Sequence, residues 1–494
     1  MLEVIKRKKE IEEFLYDEKT RTYCRLNNEK TFIRNRKITF TDLLLITLNN
    51  KSKTTTMELR DYEIYAKGND KVNYTEEAYL KQRRHLNPLV FKKANMVFTN
   101  SFYNDSNDAK KFKNYLLMGI DGIKHEVPNT PQNREYFGTS INQHKKQPAR
   151  ASSSTMFDLE NHFYVDIQLQ KYNFSEKSMA KTHIEEALKI LKNDEFIVVL
   201  DRNYISLEFL LWLDEKEIKY VFRLGKDKYK KEINAMKTDD EFVDLIHTYA
   251  RLQNIRETYP EQAEKLKKLE KTTVRITKKK INGNKKIILL SNLNMEEFNS
   301  NEIMEIYSKR WNIESSYDCM KNKLCVECFT GNLPIIVEQD LYAQILIYNQ
   351  IQDMINESNE RIRIKNQDKN LKLEYKVNEN KAVGLFKEKF IKIILIQDDI
   401  KSALEYDKLM DEMTKYVSAM RPNRPSNPRN FNRANKNKTN MKLSYWILKL
   451  LTLATGPPFW KTKKELYALP EYFPSLVEII IFSPSFINKG TLTI

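Results

Sequence analysis

The sequence predicts an α/β protein, a mixed-sheet core carrying a β-rich insertion, with helical regions on its N- and C-terminal sides. Three observations carry that expectation. Phe196-Ile-Val-Val-Leu-Asp201 is a short continuous apolar run ending in an acid, which reads as a central strand buried on both faces. Tyr115-Leu-Leu-Met-Gly-Ile-Asp121-Gly122 is a second such run, and between the two Phe163, Val165, Ile167 and Leu169 alternate as in a half-buried strand. Further on, Ile306, Ile313, Tyr317, Met320 and Leu324 recur at helical spacing, the apolar stripe of an amphipathic helix.

In chain order, residues 1–112 read as short helices. One begins at Thr39 or Thr41 and carries Leu43, Leu44, Leu45 and Leu48, and another follows Thr54–Thr56. A third starts at Thr75, with Glu76 and Glu77 where the positive helix end favours acids. A fourth follows Asn87-Pro88, with proline at the first helical position. The third helix ends in Lys81-Gln82-Arg83-Arg84-His85. Such a stretch suits phosphates and base edges in helix-turn-helix proteins, with Lys81, Arg83 and Arg84 as the DNA contacts; a solvated basic face is the other reading.

Residues 113–331 form the expected core, interrupted at about 225–299. Asp201 ends its strand, and Ser206 is the candidate cap of a helix carrying Leu207, Leu210, Leu211 and Leu213. The interval from Asp201 to Glu314 is far longer than one strand and one helix need, so it holds an insertion. In it, Thr238-Asp-Asp-Glu241 reads as a capping box heading a charged helix. Thr273-Val-Arg-Ile-Thr and Lys285-Lys-Ile-Ile-Leu-Leu flank Ile281-Asn-Gly-Asn284 as a β-hairpin. Residues 332–418 return to helices that pack on the core through Ile335, Leu341, Ile345, Ile347 and Ile351. Residues 419–442, with Pro422, Pro425 and Pro428 among Arg and Asn, read as a basic disordered tail. Residues 443–494 read as an atypical hydrophobic extension, extra translated sequence or a membrane-surface or partner segment.

The chain has 84 Lys and Arg against 67 Asp and Glu, a formal charge of +17. An AT-rich genome would inflate Glu along with Lys, so the imbalance points to a polyanionic partner. There is no secretory leader and no apolar run of about 18 residues, so the expected location is cytosolic, with no membrane partner. No P-loop, glycine-rich nucleotide loop, G-x-S-x-G elbow or H-E-x-x-H pair is present. Cys319, Cys325 and Cys328 are spaced C-x5-C-x2-C and invite a structural zinc. Only the distant Cys24 or a histidine could complete four ligands, and reduced, packed cysteines are the simpler reading.

Tyr307, Arg310, Glu314 and Lys321 belong to the same helix as the apolar stripe. At about 100° per residue they share an arc of roughly 60° on its shoulder. Taken alone, that face reads as a solvated charged edge. An acid flanked by Arg and Lys beside a core stripe is also what metal-dependent phosphodiester chemistry needs. The spacing Y-x2-R-x3-E-x6-K, with Trp311-x-Ile313-Glu314, resembles the YREK motif of DDE transposases from bacterial insertion sequences. The resemblance implies a ribonuclease-H-like core in which Asp, Asp and Glu hold two Mg²⁺ or Mn²⁺ ions. It places Asp121 at the first Asp, Asp201 at the second in an Asp-Arg202-x-Tyr204 context, and Glu314 at the acid of the helix. The family also carries an N-terminal helical DNA-binding region and a largely β insertion between its second Asp and its Glu.

The resemblance implies a transposase that binds the terminal inverted repeats of an insertion sequence and target DNA. It also implies cut-and-paste cleavage and strand transfer, typically through a hairpin, by a homodimer in the nucleoid-associated bacterial cytoplasm. Tyr307, Arg310, Lys321 and Arg202 would hold DNA. A structure-specific nuclease, or an inactive DNA-binding remnant, are the alternatives.

Overall fold

Sheet order is the feature that positions everything else. The computed structural model describes residues 3–421, apart from 27–29, 35, 107, 142–146, 193, 226 and 281–285. Its main strands are β1 (Leu116–Glu126), β2 (Arg150–Asp158), β3 (Tyr164–Lys171), β4 (Phe196–Leu200), β5 (Lys219–Arg223), β6 (Asp240–Ile246), β7 (Lys271–Lys280) and β8 (Lys286–Ser291). They form one mixed sheet in the order β3-β2-β1-β4-β5-β8-β7-β6. β1, β2 and β3 make an antiparallel meander, while β4 and β5 run parallel to β1. The Glu176–Ile190 helix links β3 to β4 and the Leu207–Glu215 helix links β4 to β5. Every residue of β4 is buried, as a parallel strand covered on both faces requires. The result is the expected ribonuclease-H-like α/β class.

β2 carries no apolar signature, and nothing local in the sequence marks it as a strand. Its Ser152, Ser153, Ser154 and Thr155 are all buried, their backbones satisfied by two neighbouring strands. The insertion extends the same sheet, because β8 pairs antiparallel with β5 and carries β7 and β6 outward. The expected hairpin is the β7–β8 pair, with Lys280 opposite Lys286, and its turn lies outside the described residues. The helix expected after Thr238 is instead strand β6. Thr238 and Glu241 do pair, the Thr238 N–H donating to Glu241 at 3.1 Å, but they close a turn into the strand. Leu245 points inward while Phe242 and Ile246 are exposed, a period of two that pairing with β7 rewards.

The N-terminal caps are where the sequence put them. Thr39 forms a capping box with Asp42 on the Phe40–Leu48 helix, and Thr75 caps Glu76–Arg83. Helix Thr55–Arg60 follows Thr54, and Leu89–Asn104 follows Pro88. An unanticipated first helix, Glu3–Tyr16, buries Val4, Ile5, Ile11 and Leu15. The 33-residue helix Pro334–Asn366 ties these pieces to the sheet. Its Asn349 accepts from the Tyr164 N–H at 2.8 Å and donates to the Tyr164 carbonyl at 2.9 Å. Its Asp353 receives the Arg7 fork at 2.8 and 2.7 Å. Helices Glu379–Ile394 and Asp399–Met413 complete the C-terminal side, beside the small pair β9 (Tyr375–Val377) and β10 (Val417–Ala419). Among the described residues no helix is long and apolar enough to cross a membrane. The expected tail beyond residue 421 and the 443–494 extension lie outside the described residues.

Candidate active site

Strand register brings the first two acids together. Ile120 of β1 lies opposite Leu200 of β4, so one step further Asp121 and Asp201 are neighbours on adjacent parallel strands. Equivalent residues of such strands face the same side, about 4.8 Å apart. Asp201 keeps extended backbone at φ −79° and ψ 169°, which preserves that alternation just past the end of β4. The sequence placed Asp121 at a strand end as well. Instead β1 continues to Glu126, because β2 offers partners as far as Arg150. The crevice therefore opens where β4 stops and β1 goes on.

The third acid arrives on a broken helix. Tyr307 belongs to Ser300–Ser308, the chain turns at Lys309 and Arg310, and a new helix runs Trp311–Asp318 before a π-helical turn at Cys319–Lys323. Lys309 and Arg310 keep right-handed helical backbone, and Arg310 and Glu314 share a face as the wheel expects, pairing at i,i+4; the π turn changes the period only beyond Asp318, ahead of Lys321. The stripe itself holds, with Ile306, Ile313, Met320 and Leu324 buried. Tyr317, expected in that stripe, spans to the sheet. Its hydroxyl donates to the Asp121 carbonyl at 2.7 Å and lies 2.7 Å from Thr155 Oγ1. That bond fixes the Glu314 helix against β1.

Arg310 sits among the acids. Its Nη2 donates to Glu314 Oε1 at 2.7 Å, and its Nη1 lies 3.7 Å from Asp121 Oδ2. Tyr307 and Trp311 rings flank the guanidinium at 5.8 and 5.6 Å. Burial pushes the Asp121 carboxyl up to about 6; the Gly122 N–H and Arg310 oppose that rise, while Glu314 and Asp201 add to it. All three carboxylates therefore share one field. The buried Tyr204 hydroxyl lies against Ser154, and the Tyr307 hydroxyl against the Arg310 guanidinium.

A sequence model of the transposase DDE domain matches residues 116–350, the span from the start of β1 into the long C-terminal helix. Residues 116–350 are thus similar to a transposase DDE domain. Over 241 residues the chain is 26% identical to the transposase InsG for insertion sequence element IS4 of Escherichia coli (strain K12), covering 47% of this chain and 50% of that protein. The chain spans about half the length of that curated relative. A solved piggyBac transposase synaptic complex with hairpin DNA aligns at a TM-score of 0.41 and 11% identity, over 83% of this chain and 85% of that one.

The donor set of Asp121, Asp201 and Glu314 suits a hard divalent cation, being all carboxylate oxygen. Among the described residues no three His, Cys, Asp or Glu side chains stand together at ligating distance; the Arg310 guanidinium lies between Asp121 and Glu314, where positive charge is wanted. Neither the three carboxylates nor the cysteines form a closed cage, and no zinc set is present among the described residues.

The remaining expected residues divide. Arg202 is exposed beside Asp201, and Lys81 and Arg84 are exposed on their helix end. Arg83 is not available to DNA, which corrects the expectation for it. It is fully buried, bonding Asp340 at 2.8 Å and Gln339 at 2.8 Å, and also Thr330. Lys321 donates to the Lys124 carbonyl and to Glu327, both at 3.0 Å, so it is anchored on β1 rather than projecting freely. Trp311 is 60% exposed at the mouth of the site. The sequence showed its position but gave no reason to expect an exposed indole there.

Proposed function

We propose that this chain is a DNA transposase that binds the inverted-repeat ends of an insertion sequence and catalyses metal-dependent DNA cleavage and strand transfer. The observation that carries the reading is the convergence of Asp121, Asp201 and Glu314 on one crevice, with Arg310 between two of them. Asp121, Asp201 and Glu314 would hold two Mg²⁺ or Mn²⁺ ions. Bound there, the metal supplies an activated water or 3′ hydroxyl and charge stabilisation for the departing oxygen of an in-line displacement.

The chain's own groups do the rest. Three carboxylates in one field repel each other, which favours cation capture over the metal-free state. Arg310, released from Glu314, offers a planar fork that matches a phosphate. Lys321, held by Glu327, supplies a fixed point charge beside β1. The Tyr307 hydroxyl lies against the Arg310 guanidinium; since Arg310 can only donate, the Tyr307 O–H is left as a donor for a phosphate oxygen. Arg202 extends the same charge outward from Asp201. Trp311 presents an indole face on which an unstacked base can lie.

Incubating the full chain and Mg²⁺ with DNA carrying the flanking inverted repeats tests the proposal. Strand-transfer products support it. Hydrolytic cuts without joining would make it a nuclease, and binding without cutting would make it an inactive remnant.

A further inference from the structure

Cys325 and Cys328 flank Glu327, the residue that anchors Lys321, and neither is in a disulfide. Their turn is closed by the Cys328 N–H donating to the Cys325 carbonyl at 2.9 Å. Such a turn holds its first and fourth Cα atoms within about 7 Å, the separation at which a disulfide becomes possible. Both residues are half-buried, whereas Cys24 and Cys319 are buried, with burial pushing their thiols up to about 12 and about 11. Cys325 also has left-handed backbone, φ 54°, a strained setting for a residue with a side chain.

The surroundings favour a thiolate. Lys387 reaches in from the Glu379–Ile394 helix and donates to the Leu324 carbonyl at 3.2 Å. Burial lowers its pKa, while the Cys325 thiol, Glu58 and the other cysteines act to raise it. The Cys328 thiol, through a hydrogen bond, holds Cys325 down at about 6; burial opposes this, and Lys387 and the Ser52 hydroxyl assist. A half-exposed thiol beside an ammonium and a second thiol is the microenvironment of a reactive cysteine.

We propose that Cys325 and Cys328 form a reversible thiol–disulfide site whose oxidant is a small-molecule disulfide. The Cys325 thiolate attacks one sulfur of the reagent and displaces the first reagent thiolate. Cys328 then gives its proton to solvent and attacks the Cys325 sulfur of the mixed disulfide, displacing the second. The protein loses two electrons, and the reagent is reduced to two thiols. The bond would reshape the turn that carries Glu327, and with it the seat of Lys321. That consequence rests on the transposase reading; the disulfide does not.

The test uses the full chain with oxidised glutathione, followed by alkylation and peptide mass spectrometry. The expected product is an internal Cys325–Cys328 bond, reversed by dithiothreitol, with Cys24 and Cys319 still thiols. Cys328→Ser should stop at a glutathione adduct on Cys325. Lys387→Met should slow Cys325 alkylation at neutral pH several-fold, where Lys389→Met does not. Unreacted thiols, or an adduct on Cys325 that never resolves while Cys328 is present, overturn the site. Disulfide formation with unaltered DNA cleavage overturns the link to Lys321. Absent cleavage in both redox states is instead a failure of the transposase reading, and the thiol measurement stands without it.

Discussion

Replacing Arg83 by Ala should destabilise the protein without weakening its grip on DNA. The side chain is fully buried and its guanidinium bonds Asp340, itself 1% exposed. Removing the cation leaves a buried carboxylate whose remaining partners are the Thr330 N–H at 2.6 Å and hydroxyl at 2.7 Å. Breaking a buried ion pair from one side costs about 3–5 kcal/mol, and the surviving Thr330 bonds place this case at the lower end, about 3 kcal/mol. Against a total stability of roughly 5–15 kcal/mol, that is a large fraction. Chemical denaturation of wild type, Arg83→Ala and the double variant Arg83→Met with Asp340→Leu would measure it, with the apolar pair recovering most of the loss. Gel shifts at low temperature should show unchanged DNA affinity for Arg83→Ala. Wild-type stability combined with weakened DNA binding would refute the structural role and restore Arg83 as a DNA contact.

Arg310→Ala and Lys321→Ala should each weaken binding to inverted-repeat DNA and lower its salt dependence, by roughly one unit of slope for each phosphate no longer gripped; unchanged slopes would return both residues to a purely structural role. Asp121→Asn should stabilise the metal-free protein. Because the folded pKa lies at about 6 against an ordinary 3.8, the native state holds the extra proton. This acid's contribution to stability is therefore best below 3.8, falls as pH rises through that window, and is fully adverse above 6. The shift corresponds to at most about 3 kcal/mol, readable as a higher melting temperature at neutral pH for the variant and no difference near pH 3.5. Truncation after Lys442 should leave DNA cleavage intact and raise solubility, since residues 443–494 hold five of the fourteen prolines and no periodic pattern. Cleavage lost from a truncated chain with an unchanged circular dichroism spectrum would show that the tail is needed.

Much of the site was legible because apolar runs and helical spacing are local signals. β1 and β4 announced themselves as continuous apolar stretches ending in acids, while the placing of those acids in one site came from the YREK resemblance. The cap at Thr75 was equally plain, and of the two candidates Thr39 and Thr41 the structure takes Thr39. What failed depended on distant partners. β2 buries four consecutive hydroxyl residues that only neighbouring strands make tolerable. Thr238 and Glu241 formed their expected pair, yet pairing with β7 turned the following residues into strand. The tightened turn at Lys309 and Arg310 and the π turn at Cys319–Lys323 fall in a segment with no proline or glycine, so no local breaker marked them. Arg83 looked like its basic neighbours Lys81 and Arg84, and only Asp340, more than 250 residues away, distinguishes it.

Cleavage of inverted-repeat DNA by Asp121→Asn, Asp201→Asn and Glu314→Gln, run beside gel shifts and Mn²⁺ titration, tests the central claim most directly. If the three acids form the proposed metal site, each variant should lose cleavage and weaken Mn²⁺ binding while still shifting DNA, because the exposed basic residues are untouched. Near-normal cutting by any one of the three, in protein that melts cooperatively, would contradict the assignment of that carboxylate and the shared site built on it.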